Sequence, residues 1–240
     1  MGIAATVLLG IVLVGRVFFS SSIQNVVAST GPGETKEITL PDGTIINLNE
    51  NTALTYPENF TADSRDVFLQ GEAFFDVERD ESKPFVITTS DLEVRVLGTS
   101  FLVKEQEGLT STEVQVSTGK VQVTSLEQPN QKVTLVKDEA ASFASLDKKM
   151  TKLEANPNDL FWQNKTLIFN QTELEQVMEV IELTYNTQID FKNDKLKTCK
   201  LSAKFQDQNL EGIFTIISTS LSVNFEQSEN IWYVSGESCE

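Results

Sequence analysis

The stretch that most constrains this chain runs from residue 65 to 103, RDVFLQGEAFFDVERDESKPFVITTSDLEVRVLGTSFLV. Apolar and polar residues alternate at Val67 and Leu69, and again at Val94 and Val96, the pattern of strands with one face in a core. Gly71 and Gly98 interrupt the alternation where a bend or a close backbone approach is expected. Lys83-Pro84 separates two of the strands, because proline has no N–H to give to a ladder.

The flanking text continues in the same style. Residues 37–49 read as two strands around the Pro41-Asp42-Gly43 turn. Residues 53–56 form a further short strand, closed by Pro57-Glu58-Asn59. Residues 113–124 (EVQVSTGKVQVT) read as a hairpin, with Val114 and Val116 before Thr118-Gly119 and Val121 and Val123 after it. Residues 132–136 and 139–143 add two more strands. Short strands at spacings near ten residues, without helical period, imply a sandwich, a jelly-roll-like fold or a short β-solenoid. This all-β domain is expected over 33–146. Residues 147–160 are polar, contain Pro157 and read as a linker.

The pattern beyond it is helical. Leu174, Val177, Met178, Ile181 and Tyr185 fall on one helix face, and Leu210, Ile213, Phe214, Ile217 and Leu221 repeat that spacing 36 residues later. Thr172 and Glu175 have the spacing of a capping box. Phe169 and Phe205 precede the two helices, and Ile189 and Phe225 follow them. A small α+β domain of two β–α–β repeats is therefore expected over 161–240, closed by a strand at 231–234. The fold class is mainly β.

At the other end, residues 2–19 are apolar apart from Thr6 and Arg16. As a helix they would reach about 27 Å, close to the hydrocarbon thickness of a bilayer. No basic segment opens the run as it would in a cleaved signal peptide, so 1–28 is expected to be a transmembrane anchor with its exit linker. A chain that starts one residue before a membrane span suggests that an N-terminal segment is missing.

Composition removes several function classes. The 240 residues carry a formal charge of −16, which opposes a nucleic-acid interface. There is no histidine, so Ser-His-Asp triads and histidine metal sites are excluded. No phosphate-binding glycine loop is present. Glu72 and Asp76 flank Phe74 at two residues on either side, so all three share one strand face. Paired carboxylates serve acid/base catalysis or calcium, yet no nucleophile, base or further ligand accompanies them. They read as strand-surface or turn carboxylates, and neither enzyme activity nor a cofactor or metal is expected. Cys199 and Cys239 flank the second helical repeat without forming a CxxC pair. In an exported domain they are the candidate disulfide, and as cytosolic residues they would be free thiols.

The wording of the central motifs carries a resemblance. GEAFFDV (71–77), KPF (83–85) and VLGTSF (96–101) are similar to the FecR family, as are LPDGTIINLN (40–49), LTYPENF (54–60) and STGKVQV (117–123). The motif positions are Gly71, Glu72, Phe75, Asp76, Pro84, Gly98, Thr99 and Phe101. Residues 161–186 resemble the C-terminal module of Bacteroidetes-type members, which is related to the short N-terminal signalling domain of secretins and TonB-dependent receptors. The resemblance implies a single-pass inner-membrane anti-sigma factor with its bulk in the periplasm. It would relay a signal from an outer-membrane TonB-dependent transporter for iron or glycan uptake. The receiver would be an extracytoplasmic-function sigma factor, held through a cytoplasmic segment that precedes the membrane helix in family members and is missing here. An envelope assembly or structural protein built from the same modules, without sigma-factor contact, is the alternative. A carbohydrate-active enzyme using Glu72 is a further one.

Overall fold

The computed structural model describes residues 24–105 and 111–237. The expected membrane helix at 2–19 lies outside the described residues. Two compact units meet at residues 154 and 155.

The described residues of the N-terminal unit form thirteen strands. They are β1 (Asn25–Ser29), β2 (Lys36–Thr39), β3 (Ile45–Leu48), β4 (Ala53–Pro57), β5 (Arg65–Asp76), β6 (Phe85–Thr88), β7 (Leu92–Val96), β8 (Ser100–Glu105), β9 (Ser111–Thr118), β10 (Lys120–Ser125), β11 (Lys132–Val136), β12 (Glu139–Ala144) and β13 (Lys149–Glu154). The 12-residue β5 organises them. Val67, Leu69, Ala73 and Phe75 all turn inward and are buried, so the period of two runs through the whole strand. Its pairing changes halfway. The first half lies between β4, antiparallel, and β6, parallel. The second half lies between β3 and β8, both antiparallel. Strand β5 therefore belongs to two sheets. One runs β11–β10–β7–β6–β5–β4–β1, and the other runs β13–β12–β9–β8–β5–β3–β2. A single apolar cluster drawn from both fills the space between them, with Phe75 stacked on Phe101 at 5.3 Å and edge-on to Phe85 at 6.3 Å.

Of the three expected β architectures, the solenoid is excluded. Apart from β5–β6, the strand pairs among the described residues of this unit are antiparallel, whereas a solenoid stacks parallel strands. Three local expectations are corrected. Residues 25–28, grouped with the anchor, form most of β1, paired to β4 from Asn25–Pro57 to Ser29–Ala53. Residues 113–124 are not a hairpin: β9 pairs with β8 and β12, while β10 pairs with β7 and β11. The chain changes sheet at Thr118-Gly119, and the four valines enter one core from opposite sides. Residues 149–154, expected in the linker, form edge strand β13 along β12.

The C-terminal unit has two helices, α1 (Leu174–Tyr185) and α2 (Leu210–Leu221), after a one-turn helix at Phe161–Asn164. Its strands are β14 (Thr166–Glu173), β15 (Gln188–Phe191), β16 (Lys200–Gln206), β17 (Asn224–Ser228) and β18 (Ile231–Ser235). They form two separate sheets. β14 and β16 pair antiparallel, and β18 lies between a parallel β15 and an antiparallel β17. The apolar helix faces meet these sheets in one core, where Phe214 stacks on Phe225 at 4.1 Å and meets Trp232 edge-on. The capping box does not form. Thr172 Oγ1 accepts from the Asn170 N–H, and the first N–H groups of α1 donate to the carbonyls of Cys199 and Lys197. The start of α1 is thus capped by backbone from the approach to β16. In α2 the Asn209 side chain does the capping, accepting from the Gly212 N–H at 2.9 Å.

Candidate functional site

The central motifs converge where β5 passes between sheets. Gly71 sits at the bend with φ +108°, and a Cβ there would lie 2.5 Å from Thr52 Oγ1 and 2.7 Å from Thr52 Cα. A side chain has no room, and the backbone angle disfavours one in any case. Thr52 is fully buried. Its Oγ1 accepts from the Glu72 N–H at 2.9 Å and lies 3.1 Å from the carbonyls of Glu72 and Glu50, to which the hydroxyl donates. The threonine thus adds partners for backbone groups at the break in the ladder, where the Glu72 carbonyl also accepts from the Asn49 N–H at 2.8 Å.

At the start of β5 stands Arg65, 2% exposed in spite of its charge. Nη1 donates to Asp42 Oδ2 at 2.7 Å and to the Glu78 carbonyl at 2.8 Å, and Nε donates to the Lys83 carbonyl at 2.9 Å. The guanidinium lies 5.4 Å from the centre of the Phe85 ring. Asp42 also accepts from the Thr44 N–H and hydroxyl. One cation therefore ties the 40–44 turn and the 78–84 loop to β5, beside a cleft of about 440 Å³. Nearby, Asp80 Oδ1 accepts from the Ser82 hydroxyl and N–H, which with the field of Arg65 hold its carboxyl below the usual range.

The motif residues named from sequence occupy structural positions around this frame. Phe75 and Phe101 are stacked in the core. The Pro84 carbonyl accepts from the Arg65 N–H. Gly98 packs against Arg79, whose Cα would stand 2.7 Å from an added Cβ. Thr99 Oγ1 donates to the Lys120 carbonyl at 3.0 Å, bracing the point where β9 gives way to β10. Glu72 and Asp76 differ in setting: Glu72 is buried, while Asp76 is exposed and accepts from the Ser100 hydroxyl at 2.8 Å. Among the described residues, no group of three or more carboxylates or cysteines is arranged to hold a metal ion. Cys199 is buried in the C-terminal core, and Cys239 lies outside the described residues.

Further clefts also have the size of ligand sites. One of about 630 Å³ lies beside the β5 bend, lined by Thr30, Thr52, Gln70, Glu105 and Ser145 among others. Another, about 450 Å³ in the C-terminal unit, has Glu175, Glu179, Asp190, Lys192 and Tyr233 in its wall. Lys197 at its rim is pushed above the usual lysine range by the hydrogen bonds it donates to Asp194 and Glu175. Sequence reasoning places Asp42 in a turn without its partner Arg65, and it does not identify Arg65 or Thr52. The available signal was an arginine on the inward phase of β5, where the flanking valine and leucine predict an apolar residue.

Comparison with known proteins accounts for both units. The FecR protein family model matches residues 26–122, and the FecR C-terminal model matches residues 166–234. Two crystal structures of a protein from Parabacteroides distasonis assigned as an anti-sigma factor are similar to the chain. The 1.65 Å structure shares 32% identity, covering 89% of this chain and 100% of that one, with a TM-score of 0.58. The 2.50 Å structure shares 31% identity over 90% and 100%, with a TM-score of 0.59. No curated protein matches the chain. With family models matching both units, and a solved relative covered along its whole length, the chain belongs to the FecR family.

Proposed function

We propose that this protein is an anti-sigma factor that receives a signal in the periplasm and passes it to an extracytoplasmic-function sigma factor. The observation that carries this reading is the match of both units, in order, to the two FecR family models, with a solved relative assigned as an anti-sigma factor. Residues 2–19 would anchor it in the inner membrane as a single span. No helix among the described residues is long and apolar enough to cross a membrane, so the anchor rests on that run alone. The protein acts by binding and not by catalysis. Its signalling partner is the signalling domain of an outer-membrane TonB-dependent transporter.

The C-terminal unit is the docking module in this reading. Among the described residues its β14–β16 sheet has two strands; the Asn158 side chain occupies the outer edge of β14 at Ile168, and the outer edge of β16 is the one offered to an extended segment of the transporter. Cys199 and Cys239 would pair in the oxidising periplasm, closing a loop of some 40 residues and stabilising the unit by about 4 kcal/mol in the chain-entropy model. The deciding experiment has two arms: capture of the transporter signalling domain by the protein, and a sigma-dependent reporter in cells lacking residues 155–240. Capture together with a reporter that no longer responds to inducer is expected. A reporter that responds unchanged without the C-terminal unit would exclude the relay.

A further inference from the structure

The sheet face formed by β1, β4, β5 and β6 carries an uncharged row, with Val27 and Phe68 exposed, that the core does not use. Val27 lies opposite Thr55, Thr55 opposite Phe68, and Phe68 opposite Thr88, so the four residues cross four adjacent strands in one row. Val27 is 64% exposed and Phe68 is 39% exposed. Where β1 begins, Tyr56, Pro57 and Phe60 join Phe68 around a shallow depression of about 410 Å³. Among the described residues lining it, Asp66 carries the only charge, and Asp66 is engaged by the Ser64 hydroxyl at 2.6 Å.

The position of this face in the chain identifies what covers it. Strand β1 is fixed from its first residue, since Asn25 pairs with Pro57 and the Gln24 carbonyl accepts from the Glu58 N–H at 2.9 Å. The apolar run ends at Phe19, so residues 20–24 are the whole tether. Fully extended from Phe19 to Gln24, it spans about 17 Å at most. The headgroup layer takes up roughly 5–8 Å of that distance. With residues 2–19 spanning the bilayer, the start of β1 and its aromatic surroundings lie within about 12 Å of the headgroup surface.

We propose that this face, with Phe68 and Val27 at its centre, rests on the interface of the bilayer that anchors the chain. The inference relies on the anchor reading above. Exposed apolar and aromatic side chains at headgroup depth are the chemistry of interfacial contact. Because Asp66 is the charge in the lining, and Lys83 at the rim donates its ammonium to the Phe60 carbonyl at 2.6 Å, the surface it fits is a zwitterionic one and not an anionic patch.

The test uses the full chain reconstituted in phosphatidylcholine vesicles with brominated acyl chains. Tryptophan is introduced by Phe68→Trp or, as a control, by Leu146→Trp. Leu146 is 79% exposed. It follows Ser145, which shares a cleft with Ser29 at the far end of β1. The emission added over the unsubstituted chain should be largely lost for Phe68→Trp and retained for Leu146→Trp. Equal behaviour at the two positions in vesicle-bound chain, quenched or not, overturns the proposal and leaves the anchor standing. Chain that fails to float with the vesicles overturns the anchor, and this proposal with it.

Discussion

The two units handle buried polarity in opposite ways. In the N-terminal unit Thr44, Thr52, Arg65, Glu72, Thr89, Thr99, Thr112, Gln115 and Ser125 are buried, whereas Thr166 is the counterpart among the described residues of the C-terminal unit. The reason lies in how each satisfies its backbone. Strands that change sheet at Gly71 and at Gly119 break the ladder there, and Thr52 and Thr99 add partners for the backbone groups at the breaks. Helices and short paired strands satisfy most of their own backbone groups, so the C-terminal core can be apolar. Its charges then stay at the rim, as in Lys200–Glu173, Lys192–Glu226 and Lys197–Glu175. Polar substitutions should therefore be severe in one unit and mild in the other.

The largest expected effect is at the β5 bend. Gly71→Ala puts a methyl group against Thr52 backbone at a positive φ, and strain plus overpacking should remove about 3–5 kcal/mol. Chemical denaturation followed by hydrogen exchange should show early loss of protection in β3, β4 and β5 while α1 and α2 keep theirs. Equal loss in both units would mean that they unfold as one. Next comes the buried ion pair. Asp42→Ala leaves Arg65 charged and nearly fully buried, which should cost about 3–4 kcal/mol. Replacing both partners together (Asp42→Leu with Arg65→Met) should recover much of that loss, and the double-mutant cycle is the measurement. If the single and double variants are equally destabilised, the packing of Arg65 on Phe85 matters more than its charge. In the C-terminal unit the matching large effect has to come from apolar volume: Phe214→Ala should cost about 3–5 kcal/mol through the cavity left beside Phe225 and Trp232.

The same contrast governs what the sequence makes legible. The faces of α1 and α2 follow from a local period of 3.6, and Val177, Met178, Ile181, Ile213, Phe214 and Ile217 are buried as that period requires. Tyr185 and Leu210, at the helix ends, are half-buried, and the Tyr185 hydroxyl reaches out to the Gln208 carbonyl. In the N-terminal unit the strands are legible but their partners are not. Val114, Val116, Val121 and Val123 alternate as a hairpin would, because strands in two facing sheets bury valines with the same period. Strand β13 reads as linker because an edge strand with one neighbour needs almost no apolar face. The Arg65–Asp42 pair spans 23 positions, and Thr52 reaches Glu72 across 20, so no local pattern contains them. The capping box at Thr172 fails for the same reason. The residues that cap α1, Lys197 and Cys199, arrive from the other side of the helix in sequence.

The smallest expected effects sharpen the comparison by pH. Glu139 has a lowered pKa, chiefly from its hydrogen bond to Lys152, which joins β12 to β13. A lowered folded-state value stabilises above the unfolded carboxylate range, near about 4.3, and the contribution is lost as pH falls through the folded value. Lys197 has a raised pKa, from Asp194 first and Glu175 second. A raised value stabilises below the unfolded lysine value, near about 10.4, and is lost as pH rises through the folded one. Both side chains are at the surface, so each difference should be small and weaken in salt. Measured as Tm of the wild type minus that of the variant, the gap for Glu139→Gln should close on the acid side and the gap for Lys197→Met on the alkaline side. If the Lys197→Met gap instead stays constant to high pH, the Lys197 ammonium, whose Nζ lies 5.9 Å from the centre of the Phe191 ring, is not what supports α1. The rim of the C-terminal unit would then be held by packing, as its core is.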